Sequence, residues 1–303
     1  MSIVALAIHG GAEPLSPRIK QNQKAYEAGL HQALEAGYRI LRQGGSAVDA
    51  VEAAIQQMEL HPLFNAGRGA ALDQKGEVAM DASIMNGKDL QAGAVALVRQ
   101  IQHPISLARA VMEQTPHVLM GAEGAMELGR SLQMPFMPDS YFISESQYNA
   151  LAEMQMQTQK KPDVILNDTV GAVALDQEGN LAAGTSTGGL TNQMKGRIGD
   201  SCMIGAGCYA NNITCAVSGT GDGECLMRKV AGYSVSALME FAGKELQEAC
   251  DFVVFKKDKH VLGDIGLISM DACGKVVFSF NTECMFRGWI SSDLDFTQVA
   301  ITK

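Results

Sequence analysis

Apolar and polar positions alternate in three registers along this chain of 303 residues. From Ile3 to Ile8 the run is continuous and apolar, which predicts a buried strand that stops at His9-Gly10-Gly11. Ser16-Pro17 then offers an N-cap and a first-turn proline. KAYEAGLHQALEAGYRILRQ follows with Tyr26, Leu30, Leu34, Tyr38 and Leu41 at helical spacing, and Gly44-Gly45 ends it. Ser46 to Asp49 has the pattern of a capping box, opening a second helix to about Glu59. HPLFNAGRGAALDQKGEVAMDASIM is glycine-rich with short apolar pieces, AGAVALVRQ is a strand candidate, and Pro104 opens a helix over ISLARAVMEQ. Residues 132–168 turn polar, and QMQTQKKPD within them has the composition of a linker.

The pattern restarts after that segment. TVGAVALD, a turn at QEGN and LAAGTST predict a hairpin, and GDIGLISMD, ACGK and VVFSFNTE repeat the cadence near the end. SVSALMEFA and KELQEACDFVVFKK, between the hairpins, have helical spacing. Strands and helices come in pairs, without regular βαβ alternation. That predicts an α+β fold of packed layers rather than a doubly wound sheet.

Composition narrows the function. At 47% hydrophobic the chain can bury a large core, and at 19% charged it is not disordered throughout. A net charge of −9 argues against a nucleic-acid partner. No apolar run approaches the roughly 20 residues of a membrane span. MSIVALAIHGGA lacks the basic n-region of a signal peptide. Cysteines 202, 208, 215, 225, 250, 273 and 284 are odd in number without CxxC spacing, and the six histidines (9, 31, 61, 103, 117, 260) show no ligand spacing. Reduced thiols in a cytoplasmic protein without a zinc site are expected.

Three places could carry chemistry. Thr169 opens a strand directly after the polar segment. It is either a β-branched strand residue or a nucleophile awaiting its own freed amine. An α-amine, with a pKa of about 7.7–8.0, can accept the hydroxyl proton. Arg197 and Asp200 lie three apart in GRIGDS. They read either as a surface ion pair or as a grip on the α-carboxylate and α-amine of an amino acid. SGTGDGE, Ser218 to Glu224, is a glycine-rich loop that can stabilise an oxyanion through Thr220 or cradle a phosphate, though it lacks the lysine of a nucleotide-binding loop.

In order along the chain, HGGA, HPLFNAGRGA, DTVGAVALDQEGNLAAGTSTGG, GRIGDS, GAGCYANN, SGTGDGE and FNTECMFRGW resemble the plant-type (class 3) L-asparaginase and isoaspartyl peptidase family of N-terminal-nucleophile hydrolases. The resemblance spans nearly the whole chain and is weakest over residues 132–168. It implies one αββα domain over residues 1–303 that cuts itself between Asp168 and Thr169 into 1–168 and 169–303. It implies Thr169 as nucleophile, Thr187 as its hydrogen-bonding support, and Thr220 with Gly221 as the oxyanion hole. Arg197 and Asp200, with Gly223 on the amine side, would bind asparagine or an isoaspartyl dipeptide. Asn65 would help position the cleavage region and the active site. Catalysis would need no cofactor. A structural sodium would sit on backbone carbonyls of Met58, Glu59, His61, Phe64, Ala66 and Arg68, and the cleaved αβ units would form a homodimer.

The family commonly has glycine before the threonine. Here Asp168 resembles the HDT signature of the related glycosylasparaginases, while Asn167 departs from it. A glycosylasparaginase-type amidase is therefore the alternative within the class, and a non-catalytic phosphate- or nucleotide-binding module the alternative outside it.

Overall fold

The computed structural model describes residues 3–157, 169–293 and 297–303. Its strands are β1 (Ala5–Glu13), β2 (Met80–Asn86), β3 (Ala92–Val98), β4 (Leu119–Gly121), β5 (Val170–Leu175), β6 (Leu181–Thr187), β7 (Cys208–Ala210), β8 (Cys215–Gly221), β9 (Ile265–Asp271), β10 (Val276–Phe280), β11 (Cys284–Ser291) and β12 (Gln298–Thr302). Its α-helices are α1 (Pro17–Arg42), α2 (Ala47–Leu60), α3 (Pro104–Gln114), α4 (Ala122–Ser131), α5 (Asp139–Phe142), α6 (Glu145–Gln157), α7 (Gly223–Lys229), α8 (Ala231–Ala242) and α9 (Leu246–Asp251). The fold is α+β. No helix among the described residues is long and apolar enough to cross a membrane.

The strands form two sheets, one in the order β12-β11-β1-β5-β6-β2-β3-β4 and one in the order β10-β9-β8-β7. The two predicted hairpins are present, but they lie in different sheets: β5 pairs β6 in the larger and β9 pairs β10 in the smaller. Helices α1, α2 and α3 pack on the larger sheet, β1, β5 and β6 face β8 and β9, and α8 and α9 pack on the smaller sheet.

Strand parity produces this arrangement. Successive side chains point to opposite faces. On β1, Leu6 and Ile8 join Leu30, Leu34, Val51 and Ile55 under the helices. Ala5 and Ala7 point the other way, toward Val173, Ala183, Ala216, Ile268 and Met270 between the sheets. On β8, Ala216 shares that middle layer, while Val217 packs with Leu226, Val235 and Leu246 beneath α8 and α9. The caps behave as predicted. Ser16 accepts the Ile19 amide at the start of α1, and Ser46 with Asp49 closes a capping box on α2.

Three expectations change. β1 does not stop at His9-Gly10-Gly11 but runs on to Glu13 through a register shift between His9 and Gly11. Gly10 allows this because the Phe64 ring lies where its Cβ would be, with Phe64 Cε1 2.5 Å away. The polar segment at 132–168 contains α5 and α6, and residues 158–168, including most of QMQTQKKPD and the Asp168 side of the expected cut, lie outside the described residues. SGTGDGE is not a loop through most of its length. Ser218–Gly221 is strand, paired with β9 along its length and with β7 at Ser218, and Asp222 caps α7, which begins at Gly223. Small residues are needed there because the strand is buried on both faces.

Candidate active site

The middle layer is apolar at one end and polar at the other, and parity explains why. On β1 the sequence Ala5, Ala7, His9 keeps one face. On β6 it is Ala183, Thr185, Thr187, and on β8 it is Ala216, Ser218, Thr220. Thr169, Gly171 and Val173 do the same along β5. The hydroxyl and imidazole groups therefore collect at one end of the interface between the sheets.

Thr169 is 4% exposed there. Its Oγ1 donates to Thr187 Oγ1 at 3.2 Å, and Thr187 Oγ1 also accepts the Gly189 amide at 3.1 Å. The Thr169 amide donates to Thr220 Oγ1 at 3.4 Å, and Thr220 Oγ1 lies 3.5 Å from the Thr169 carbonyl oxygen. Gly221 follows at φ +109, where a Cβ would fall 2.2 Å from the Asp264 carbonyl oxygen. Only glycine meets both demands. Asn65 bonds Gly189 O at 2.6 Å and the Ala71 amide at 2.8 Å. It thus ties the turn after Thr187 to the 65–71 loop and makes no hydrogen bond to Thr169 itself.

Arg197 and Asp200 are brought beside Gly223, but not as a surface ion pair. Asp200 is 3% exposed. Arg197 pairs with Glu224, Nε to Oε1 at 3.0 Å and Nη2 to Oε2 at 2.9 Å. A Cβ on Gly223 would fall 2.8 Å from both Arg197 Nη2 and Asp200 Oδ1. Asp200 Oδ2 is buried without a hydrogen-bond partner among the described residues. Burial pushes the Asp200 carboxyl up to about 7, opposed by the Arg197 charge. Asp81, buried beneath them, accepts the Gly199 and Leu97 amides and holds the Asp200 turn in place. The carboxyl groups of Asp200, Asp222 and Glu224 around this turn oppose a phosphate.

His9 was not singled out from the sequence for any role. Its Nδ1 lies 2.9 Å from the Thr169 carbonyl oxygen and its Nε2 lies 2.9 Å from Ser218 Oγ. A carbonyl oxygen only accepts, so Nδ1 carries the proton and Nε2 accepts from Ser218. Full burial lowers the imidazole pKa to about 3, partly opposed by the bond to Thr169, so the ring is neutral. Ser218 Oγ in turn lies 2.7 Å from Thr185 Oγ1. The chain Thr185–Ser218–His9 thus fixes the Thr169 backbone. Gly171 makes room for it, because a Cβ would fall 2.0 Å from Ser218 Oγ and 2.4 Å from His9 Nε2. Gly171→Ala is expected to cost about 1–3 kcal/mol from overpacking and about 1–3 kcal/mol more if the His9 nitrogen is left unpaired. Urea unfolding checks this, and an unchanged midpoint contradicts the network.

The residues of the predicted sodium loop sit at the end of α2 and in the turn after it. The Met58, His61, Phe64 and Ala66 carbonyls each accept one backbone amide, at 3.1, 3.3, 2.9 and 3.1 Å. Gly67, at φ +53, lies so close that a Cβ would fall 2.3 Å from Glu59 O, and a Cβ on Gly69 would fall 1.9 Å from Phe64 O. Carbonyl oxygens thus pack closely on two glycines, with Arg68 between them on the short helix Gly67–Gly69. No group of three or more His, Cys, Asp or Glu side chains among the described residues could hold a metal. The Glu59 side chain has a different task. It is fully buried and accepts from Ser186 Oγ at 2.7 Å and the Ile105 amide at 3.0 Å, with His103 Nδ1 3.0 Å away. Burial raises its pKa, opposed mainly by His103. It joins the N-terminus of α3 to the strand residue next to Thr187.

Chemically, the arrangement offers a buried hydroxyl beside its own main-chain nitrogen, a different threonine hydroxyl on each, and a guanidinium and a buried carboxylate gathered at Gly223. A family model described as asparaginase matches residues 2–300. An isoaspartyl peptidase of Salmonella typhimurium is 43% identical over 299 residues, covering 95% of this chain and 96% of its own. The isoaspartyl peptidase/L-asparaginase of Bos taurus is 41% identical over 308 residues, with 99% of each chain covered. That of Homo sapiens is 43% identical over 287 residues, covering 94% and 92%.

Proposed function

The chain belongs to the asparaginase family, and from that premise we propose that it is a self-processing threonine hydrolase releasing L-aspartate from isoaspartyl dipeptides and L-asparagine. The observation that carries the reading is the placement of Thr169. Its hydroxyl meets Thr187, its nitrogen meets Thr220, and a run of contacts leads from Thr187 through Gly189 and Leu190 to Gln193 and Arg197. The fold is read as the four-layer αββα sandwich of N-terminal-nucleophile hydrolases, with 1–168 and 169–303 as the two products of one cut domain.

In this mechanism the peptide bond between Asp168 and Thr169 breaks first. Thr169 Oγ attacks the Asp168 carbonyl carbon, the amide becomes an ester, and water hydrolyses it to leave a free α-amine on Thr169. In turnover that amine takes the Oγ proton as Oγ attacks the side-chain amide or β-peptide carbonyl of the substrate. Thr187 keeps Oγ in its rotamer. The oxyanion is stabilised by the Thr220 hydroxyl and the Gly221 amide. The ammonium returns its proton to the leaving ammonia or amino acid. Water then cleaves the aspartyl ester. Arg197 takes the substrate α-carboxylate, and Asp200 with Gly223 takes its α-ammonium.

No catalytic step needs a cofactor. A structural sodium ion, as the resemblance implies, would be held by backbone carbonyls of Met58 to Arg68 and would stiffen the turn that Asn65 links to Gly189. Buried thiols at Cys202, Cys208, Cys215, Cys225 and Cys250 suit a reducing cytoplasm. The cleaved units are read as a homodimer, for which exposed Phe241, Phe255 and Leu262 offer apolar surface.

Aspartate release from β-Asp-Leu and from L-asparagine tests the proposal. Asp200 is neutral below about 7 and cannot then pair with an ammonium. KM is therefore expected to fall as pH rises through about 7. The rate kcat rises separately as the Thr169 amine, near 7.7–8.0 if unperturbed, loses its proton. Asp200→Asn should abolish the KM limb and keep the kcat limb. A processed protein that releases aspartate from neither substrate contradicts the function.

A further inference from the structure

The geometry points to Glu224 as a positioning residue that sets the orientation of Arg197 for the substrate α-carboxylate. The inference rests on the proposed role of Arg197. An arginine guanidinium has five N–H donors in one plane, on a side edge and an end. Glu224 occupies the side edge, taking Nε and one proton of Nη2 at 3.0 and 2.9 Å. Gln193 Oε1 sits 3.4 Å from Nη1. One Nη1 proton and the second Nη2 proton remain, and the latter lies on the end of the fork. Two glycines stand against these nitrogens: a Cβ on Gly199 would fall 3.0 Å from Nη1, and one on Gly223 would fall 2.8 Å from Nη2.

The same point at Gly223 is 2.8 Å from Asp200 Oδ1. Arg197's free end and the Asp200 carboxylate thus address one notch from two sides. Glu224 itself points outward. Its side chain is 53% exposed against 15% for that of Arg197, so it braces the arginine from the solvent side. Arg197 holds the Glu224 carboxyl below its usual range, and the brace is charged at neutral pH. The contrasting arrangement, in which Glu224 fills the place of the substrate carboxylate and must leave, would need it on the end of the fork. It is on the edge.

The test compares L-aspartate with its α-carboxamide as inhibitors of the processed enzyme. Both carry the α-amine, and only the first carries the carboxylate for Arg197. Glu224→Ala is expected to weaken inhibition by L-aspartate about tenfold, as loss of an oriented charge-assisted contact implies. It should leave the α-carboxamide within about twofold and raise KM for L-asparagine more than it changes kcat. Glu224→Gln, which keeps one acceptor toward the fork, should fall between the two. Equal weakening of both inhibitors would overturn the inference in favour of a merely structural role. Tighter L-aspartate binding would overturn it in favour of competition for the fork. Arg197→Ala separates the premise: if it leaves the preference for L-aspartate over the carboxamide intact, the role of Arg197 itself fails.

Discussion

Thr169→Ala is expected to give a folded, uncut chain whose turnover has fallen about 10^4–10^6-fold, the loss seen when an activated nucleophile is removed. The fold should survive because little depends on the hydroxyl. Thr187 Oγ1 keeps the Gly189 amide, and the backbone of Thr169 stays tied to His9 and Thr220. Stability should change by about 1 kcal/mol, the worth of one hydrogen bond. Thr169→Ser keeps the hydroxyl and should cut, more slowly, because serine is freer at χ1 than a β-branched residue. Gel analysis and aspartate release read both variants. A fully active Thr169→Ala protein would remove Thr169 from the chemistry.

Arg197→Ala should have the next largest effect, falling on substrate binding. Truncating one partner of a desolvated charge pair costs about 2–5 kcal/mol, or roughly 30-fold to several thousandfold in kcat/KM. Most of this should appear in KM. The substitution leaves Glu224 without its partner and takes from Asp200 the charge that opposes burial, so the Asp200 carboxyl should rise further. Arg197→Lys should restore little, because an ammonium cannot meet Glu224 along one edge and a second carboxylate at the end. Steady-state kinetics on β-Asp-Leu decides it, and an unchanged KM contradicts the grip.

Much of this site was legible in the residue order because its motifs are local. The hairpin around Thr169 and Thr187 shows its own period and turn, and Arg197, Asp200 and Gly223 stand in short glycine-marked runs. What escaped depends on strand pairing over long separations. His9 meets Thr169 and Ser218 across 160 and 209 positions, and no local pattern announces that. Its parity with Ala5 and Ala7 was the available signal, and it was obscured by the expectation that the strand ended at His9. SGTGDGE was misread because glycine and serine mark loops in isolation. Here they let a strand pair along β9 with both faces covered. Glu224 and the Glu59 side chain were missed for another reason. A charged residue shows in sequence only as charge, and its partner is known once the fold has folded back. The two helices within residues 132–168 carried too weak an apolar period to be told from a linker.

The central claim is that Thr169 becomes an N-terminus. The intact mass of freshly purified protein, followed over days, tests it most directly. The account predicts conversion of the full chain into two species, residues 1–168 and residues 169–303, the second beginning at Thr169, with aspartate release growing in step. A single full-length species that persists while releasing aspartate at a constant rate would contradict it.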